Sequence, residues 1–220
     1  MPKKSSPKKK IEKKLKSPAA SLFMRNYIKH TVAIVGSAQT GHKGKESIEL
    51  AQELGELVAA HNAVLMTPVM PGISYWAAKG AKQAGGFVIG VSPAQSLKEH
   101  TQVYGLPTEY HDIIIYTGQG HAGADSFLAR AADALIAIGS KIGTLNQITT
   151  AAVEGKPVGI LDMGTDTSTL TKDILKETRK GHARVLFERK LQDLVEKLLK
   201  EAKAATPKRR VASSTKYLCQ

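Results

Sequence analysis

Three glycine-bearing stretches hold the residue types that can grip an anion. Gly36-Ser37-Ala38 follows a short Val/Ile-rich run. Glycine there lets the backbone turn so that successive N–H groups face one point. Gln39 and Thr40 add donors suited to a phosphate or a ribose; the plainer alternative is a tight strand-to-helix turn. Gly118-Gln119-Gly120-His121-Ala122-Gly123 matches G-x-G-x-x-G, after one apolar run and before a helical one. The acidic residue that a dinucleotide site needs about 20 positions on is missing. Ile138, Gly139 and Ser140 occupy that place, so the stretch reads as an anion-binding loop or a plain turn, not an NAD site. Gly139-Ser140-Lys141-Ile142-Gly143-Thr144 brackets a lysine with glycines. Thr144 is placed to cap a helix whose amino-terminal dipole favours phosphate, and Lys141 would add a point charge unless it is simply solvated.

Other chemistries find no support. The Walker spacing G-x-x-x-x-G-K-[ST] and the nucleophile elbow G-x-S-x-G are absent. His30, His42, His61, His100, His111, His121 and His182 show no i,i+4 or H-x-E pairing. The single cysteine, Cys219, offers no disulfide framework and no cysteine zinc site. No metal and no cofactor is therefore expected. His121 is the one histidine inside a glycine loop, a candidate acid with no carboxylate partner placed by spacing.

The elements that must carry these loops follow from hydrophobic period. With 220 residues, 42% apolar, the chain is long enough to bury a core. Apolar runs at Thr31–Val35, Ala63–Thr67, Phe87–Val91, Ile113–Tyr116, Ala134–Ile138 and Pro157–Leu161 predict six strands, with a seventh candidate at Arg184–Phe187. Between them Ser47–His61, Tyr75–Gln83, Ala124–Ala132, Thr144–Glu154, Thr169–Lys180 and Lys190–Lys203 have helical period. Segment 94–110 shows no clear period. This alternation predicts an α/β fold, a Rossmann-like parallel sheet of six or seven strands with helices on both faces. Its ligand should sit at the carboxyl edge of the strands.

Charge separates body from tails. Of a net charge of +13, residues 1–20 hold +7 and residues 201–220 hold +4, which leaves +2 for the middle. We expect residues 1–20 to be a disordered basic tail, 21–204 the folded domain and 205–220 a basic C-terminal tail. The tails could attract nucleic acid nonspecifically through phosphate, and nothing aromatic interrupts the lysines to stack on bases. The amino end lacks the unbroken apolar stretch of a secretory signal, and no run of about 18 apolar residues exists to span a bilayer. A reducing, cytoplasmic location is expected, without membrane attachment.

Taken in order, the loops resemble the SLOG superfamily of Rossmann-like proteins. The well-known LOG branch of that superfamily comprises cytokinin riboside 5′-monophosphate phosphoribohydrolases, often mislabelled lysine decarboxylases. The likeness spans residues 31–200. It rests on Val32-Ala33-Ile34-Val35-Gly36-Ser37, on Pro71-Gly72-Ile73 with Lys79-Gly80-Ala81, and on Ala132-Asp133-Ala134 running through Gly139 to Gly143-Thr144. The resemblance implies a nucleoside-monophosphate-like ligand, its phosphate held by the glycine loops, and a homodimer. The loop chemistry and the resemblance together give as expected ligand-binding residues Gly36, Ser37, Ala38, Pro71, Gly72, Gly118, Gly120, Lys141, Gly143, Thr144 and Gln147. Active LOG enzymes carry an arginine where this chain has Ala124, and P-G-G-x-G-T-x-x-E where it has Gly139, Ser140, Lys141 and, in place of the glutamate, Gln147. The T-G-G-G-P-G turn is Thr67-Pro68-Val69-Met70-Pro71-Gly72. Cleavage through an oxocarbenium-like state wants a carboxylate, which an amide does not replace. Binding of a nucleotide-like ligand without hydrolysis is thus the first expectation. An active phosphoribohydrolase is the second, and single-stranded DNA binding aided by the tails is the third.

Overall fold

The computed structural model describes residues 29–38, 44–139, 141–163, 166–177 and 184–205. The tail assignment for 1–20, that for 205–220 apart from the helical Ala205, and residues Gln39, Thr40, His42, Ser140 and His182 lie outside them. Seven strands, β1 (Thr31–Gly36), β2 (Val64–Pro68), β3 (Val88–Ser92), β4 (Ile113–Tyr116), β5 (Ala134–Ile138), β6 (Val158–Leu161) and β7 (Val185–Glu188), form one sheet in the order β4-β3-β2-β1-β5-β6-β7. Every pairing is parallel. All five residues of β5 and the four central ones of β1 are buried, as strands covered on both faces must be.

Among the described residues seven helices cover the sheet: α1 (Gly44–Ala60), α2 (Ile73–Gln83), α3 (Leu97–Gln102), α4 (Gly120–Ala131), α5 (Ile142–Val153), α6 (Asp166–Glu177) and α7 (Leu191–Ala205). Val32, Ile34, Leu65 and Ile136 pack on one face against Leu54 of α1, Ala77 of α2 and Leu194 of α7. Ala33, Val35, Leu135 and Ala137 pack on the other against Leu128 of α4, Ile148 of α5 and Leu175 of α6.

Two contacts set the frame of the site. Asp133 Oδ2 accepts from Thr31 N at 2.8 Å and Thr31 Oγ1 at 3.1 Å, while Asp133 N donates back to Thr31 Oγ1 at 3.0 Å. That clasp fixes β1 beside β5 in the register that pairs Gly36 with Ile138. Helices α1 and α2 cross where each offers a glycine. A Cβ at Gly55 would lie 1.9 Å from the Ala77 carbonyl oxygen, and one at Gly80 would lie 2.0 Å from that of Gln52. Glycine costs a helix about 1 kcal/mol against alanine. Here it is what lets α2, and with it the Pro71-Gly72 turn, sit this close.

The structure differs from the sequence expectations at three places. Segment 94–110 contains α3, capped by Ser96, whose hydroxyl accepts from Glu99 N at 3.2 Å; six residues are too few to display a period. Helix α4 begins at Gly120 instead of Ala124, so His121 and Gly123 are helical and the glycine loop ends at Gln119. Helix α5 begins at Ile142 with Lys141 as its N-cap and no side-chain cap bond; Thr144 is buried inside its first turn, not at its cap. Among the described residues no helix is long and apolar enough to cross a membrane.

Candidate functional site

Strands β1 to β4 step outward in one direction, and the chain then returns to lay β5 on the opposite side of β1. The loops after β1 and β5 therefore leave adjacent strand ends in opposite directions, the switch point at which sheets of this kind carry a ligand crevice. Gly36 ends β1 at that point. A Cβ there would fall 2.6 Å from the Ile138 carbonyl oxygen and 2.9 Å from Ile73 Cβ.

The Pro71-Gly72 turn reaches the same point from β2. Ile73 N donates to Ser37 O at 3.1 Å. Gly72 has φ +79°, and a Cβ on it would lie 2.4 Å from Ser37 O. Only glycine combines that backbone angle with that approach. Gly36, Ser37, Ala38 and Gly72 thus form one packed knot, with the exposed Pro71 at its edge.

Across the crevice, Gly139 turns left-handed at φ +73° and Lys141 leads into α5. The amides of Ile142, Gly143 and Thr144 are first-turn donors that an α-helix cannot satisfy internally, at the positive end of its dipole. Gln147, one turn on, is buried and donates from Nε2 to Asp125 Oδ1 at 2.6 Å. The other oxygen of Asp125 lies over Gly143, 3.5 Å from where a Cβ would project. Burial pushes the Asp125 carboxyl up to about 6, against the smaller opposing effect of the Gln147 hydrogen bond.

Not every residue expected at the site converges there. Gly118 and Gly120 follow β4, three strands from β1. Their amides donate to Ala94 O at 2.9 Å and Pro93 O at 3.1 Å. They shape the loop after β3 instead of facing the crevice. His121 packs its ring edgewise on Tyr104 at 5.4 Å. Asp125 was missed by sequence reasoning, because its partner lies 22 residues away on another helix and no spacing rule links the two. Among the described residues no group of three or more His, Cys, Asp or Glu side chains could hold a metal ion.

A seven-stranded parallel sheet whose order reverses between β1 and β5, with helices on both faces, defines a Rossmann-like α/β protein. Residues 29–195 match the SLOG cluster4 family, and the chain belongs to that family. It is 33% identical over 127 residues to an uncharacterized protein of Archaeoglobus fulgidus, an alignment covering 58% of this chain and 78% of the relative. The structure of the molybdenum cofactor carrier protein from Chlamydomonas reinhardtii is similar at TM-score 0.62 and 28% identity, over 79% of this chain and 99% of that one. DNA processing protein A from Helicobacter pylori, described with a single-stranded DNA binding mode, shares the fold at TM-score 0.54 and 20% identity, over 78% of this chain and 81% of that one.

Proposed function

We propose that this protein binds a nucleotide or nucleotide-derived ligand in the crevice between the loops after β1 and β5, as a carrier or sensor. The observation that carries the reading is the packing of Pro71-Gly72-Ile73 on Gly36–Ala38 at the end of β1, beside the paired end of β5 that leads through Gly139 into α5. Backbone amides at a helix start and beside a glycine turn are the usual cradle for a phosphate. Lys141 contributes charge, and the ligand-facing set is Gly36, Ser37, Ala38, Pro71, Gly72, Lys141, Gly143, Thr144 and Gln147. The Chlamydomonas relative, 28% identical, is a molybdenum cofactor carrier protein, which supports a carrier of a small ligand. In this reading the protein acts as a cytoplasmic homodimer.

Native mass spectrometry of the purified protein tests this directly. A co-purifying phosphorylated heterocycle is expected, together with its loss on Gly143→Val, which fills the space below Asp125. A preparation that stays empty and binds no purine mononucleotide in calorimetry refutes the reading.

Asp125 favours a second reading, N-glycosidic hydrolysis. It brings a carboxyl to the neighbourhood of Gln147, where the resemblance lacks one. A group titrating at about 6 is mostly ionised at neutral pH. It could then stabilise an oxocarbenium-like state or take a proton from water. Release of free base from adenosine monophosphate, abolished by Asp125→Asn, would establish that activity over simple binding.

A further inference from the structure

A shallow groove of about 370 Å³ opens beside the crevice, between the start of α2 and the loop that follows α3. Pro71 and Gly72 line it, and Gly72 packs on Ser37 and Ala38 at the end of β1, so the groove adjoins that strand end. Its first wall is aromatic. Tyr75 meets Trp76 edge-on at 5.5 Å and Tyr110 at 5.3 Å, and Lys79 Nζ sits 4.6 Å over the Trp76 ring. Both Tyr75 and Trp76 are half-buried, which leaves ring surface facing the opening.

The second wall is Gly105, Leu106, Pro107 and Glu109. Two histidines anchor it to the sheet. His100 Nε2 donates to Pro107 O at 2.9 Å while its Nδ1 accepts from the Ser92 hydroxyl at 2.8 Å. His111 Nδ1 donates to Glu109 O at 2.7 Å while its Nε2 accepts from the Thr67 hydroxyl at 2.9 Å. The bonds to the carbonyl oxygens of Pro107 and Glu109, which can only accept, fix both ring tautomers. Burial holds His111 below its ordinary value, so the tie survives at neutral pH. A loop fastened at two points to buried strand residues is a preformed wall, not a surface excursion. Glu109 carries its carboxylate at the lip, where Oε2 accepts from Thr108 N at 3.1 Å and the remaining lone pairs can meet donors from a ligand.

We propose that this groove receives the flat ring of the ligand, packed against the aromatic corner that Tyr75 and Trp76 form, and that Glu109 selects rings whose edge donates an N–H and an amino group side by side. This rests on the crevice holding the phosphate of the same molecule. Tyr75 lies one helical turn beyond Gly72, about 5 Å along the α2 axis, so ring and phosphate sites are neighbours. A carboxylate pairs in bidentate fashion with the 2-amino-oxo edge that guanine and pterins share, and offers adenine no equivalent pair. Glu109 is thereby a specificity-determining residue, and the aromatic wall is the ring subsite.

Trp76 is the only tryptophan in the sequence, so its fluorescence reports this groove alone. The experiment titrates the full chain with GMP, AMP, neopterin monophosphate and inorganic phosphate, following heat by calorimetry and Trp76 emission in parallel for the nucleotides and phosphate. GMP is expected to change Trp76 emission and to bind about tenfold more tightly than AMP, the usual worth of a charge-assisted hydrogen bond. Phosphate alone is expected to leave the emission unchanged. Neopterin monophosphate binding as tightly as GMP assigns the preference to the shared edge, and binding more tightly identifies the pterin as the better occupant. Glu109→Gln, at an exposed position that leaves the fold intact, should bring GMP down to the AMP affinity. Heat with GMP but no change at Trp76, equal affinity for GMP and AMP, or an undiminished preference in Glu109→Gln overturns the groove and leaves the crevice standing. The absence of heat with every compound overturns the crevice, and the groove with it.

Discussion

Replacing Asp125 by asparagine should stabilise the protein at neutral pH and leave it unchanged in acid. The carboxyl lies between α4 and α5, where burial raises it from 3.8 to about 6. Between those values the folded chain binds more protons than the unfolded one, so stability falls as pH rises through the window and stays reduced above it. Two units at about 1.4 kcal/mol each give a ceiling of about 3 kcal/mol. The side chain is only half-buried, and solvent screening brings the expected cost to about 1–2 kcal/mol. Asparagine keeps the shape, and its Oδ1 can still accept from Gln147 Nε2, so the variant removes the charge without removing the 2.6 Å bond. Urea denaturation of both proteins from pH 4 to pH 8 measures the difference. It should be near zero at pH 4, grow through pH 6 and level off at about 1–2 kcal/mol in favour of the variant. For a chain of this size that corresponds to a melting temperature higher by about 3–6 °C at pH 7. A difference that does not vary with pH, or a variant that is less stable at pH 7, would refute the placement of this carboxyl.

Gly80→Ala should destabilise the fold by about 2 kcal/mol or more, although helix propensity alone would favour alanine by about 1 kcal/mol, because the new methyl meets the Gln52 carbonyl; chemical denaturation gives the sign. Gly36→Ala should cost about 1–3 kcal/mol for the same reason at the end of β1 and weaken nucleotide binding in calorimetry, through the Ile138 carbonyl and Ile73. Asp133→Ala should cost about 2 kcal/mol or more by leaving the Thr31 amide without its 2.8 Å acceptor, and the loss should appear as faster hydrogen exchange along β1. Deleting residues 1–20 and 206–220 should abolish salt-sensitive binding to single-stranded DNA, measured by fluorescence anisotropy at two salt concentrations; affinity retained by the trimmed chain would move that binding to the folded body.

The centre of the sheet was readable because β1 and β5 are buried on both faces. Such strands must be runs of Val, Ile, Leu and Ala without polar alternation, and Val32–Val35 and Ala134–Ile138 could be little else. Two turns were readable because glycine marks a left-handed backbone angle, as Gly72 before α2 and Gly139 after β5 show with φ of +79° and +73°, whereas Gly36 is required by close packing. The short helix Leu97–Gln102 escaped because one and a half turns cannot establish a period. The start of α4 was misplaced because Gly120 and Gly123 lower helix propensity, which the surrounding fold overrides.

What the chain's own order determined, then, is local: which runs are strands, which faces of helices are apolar, where the backbone must turn. Proximity between distant segments was settled only in three dimensions. Nothing in the spacing of Asp125 and Gln147 indicates that they share a hydrogen bond, and nothing in Pro71, Tyr75 and Glu109 indicates that they line one groove. Those meetings depend on strand order, on the clasp of Asp133 with Thr31 and on the glycine crossing of α1 with α2. Each is a packing solution reached by burying both faces of the sheet at once, so pairing across helices and loops is a property of the assembled core.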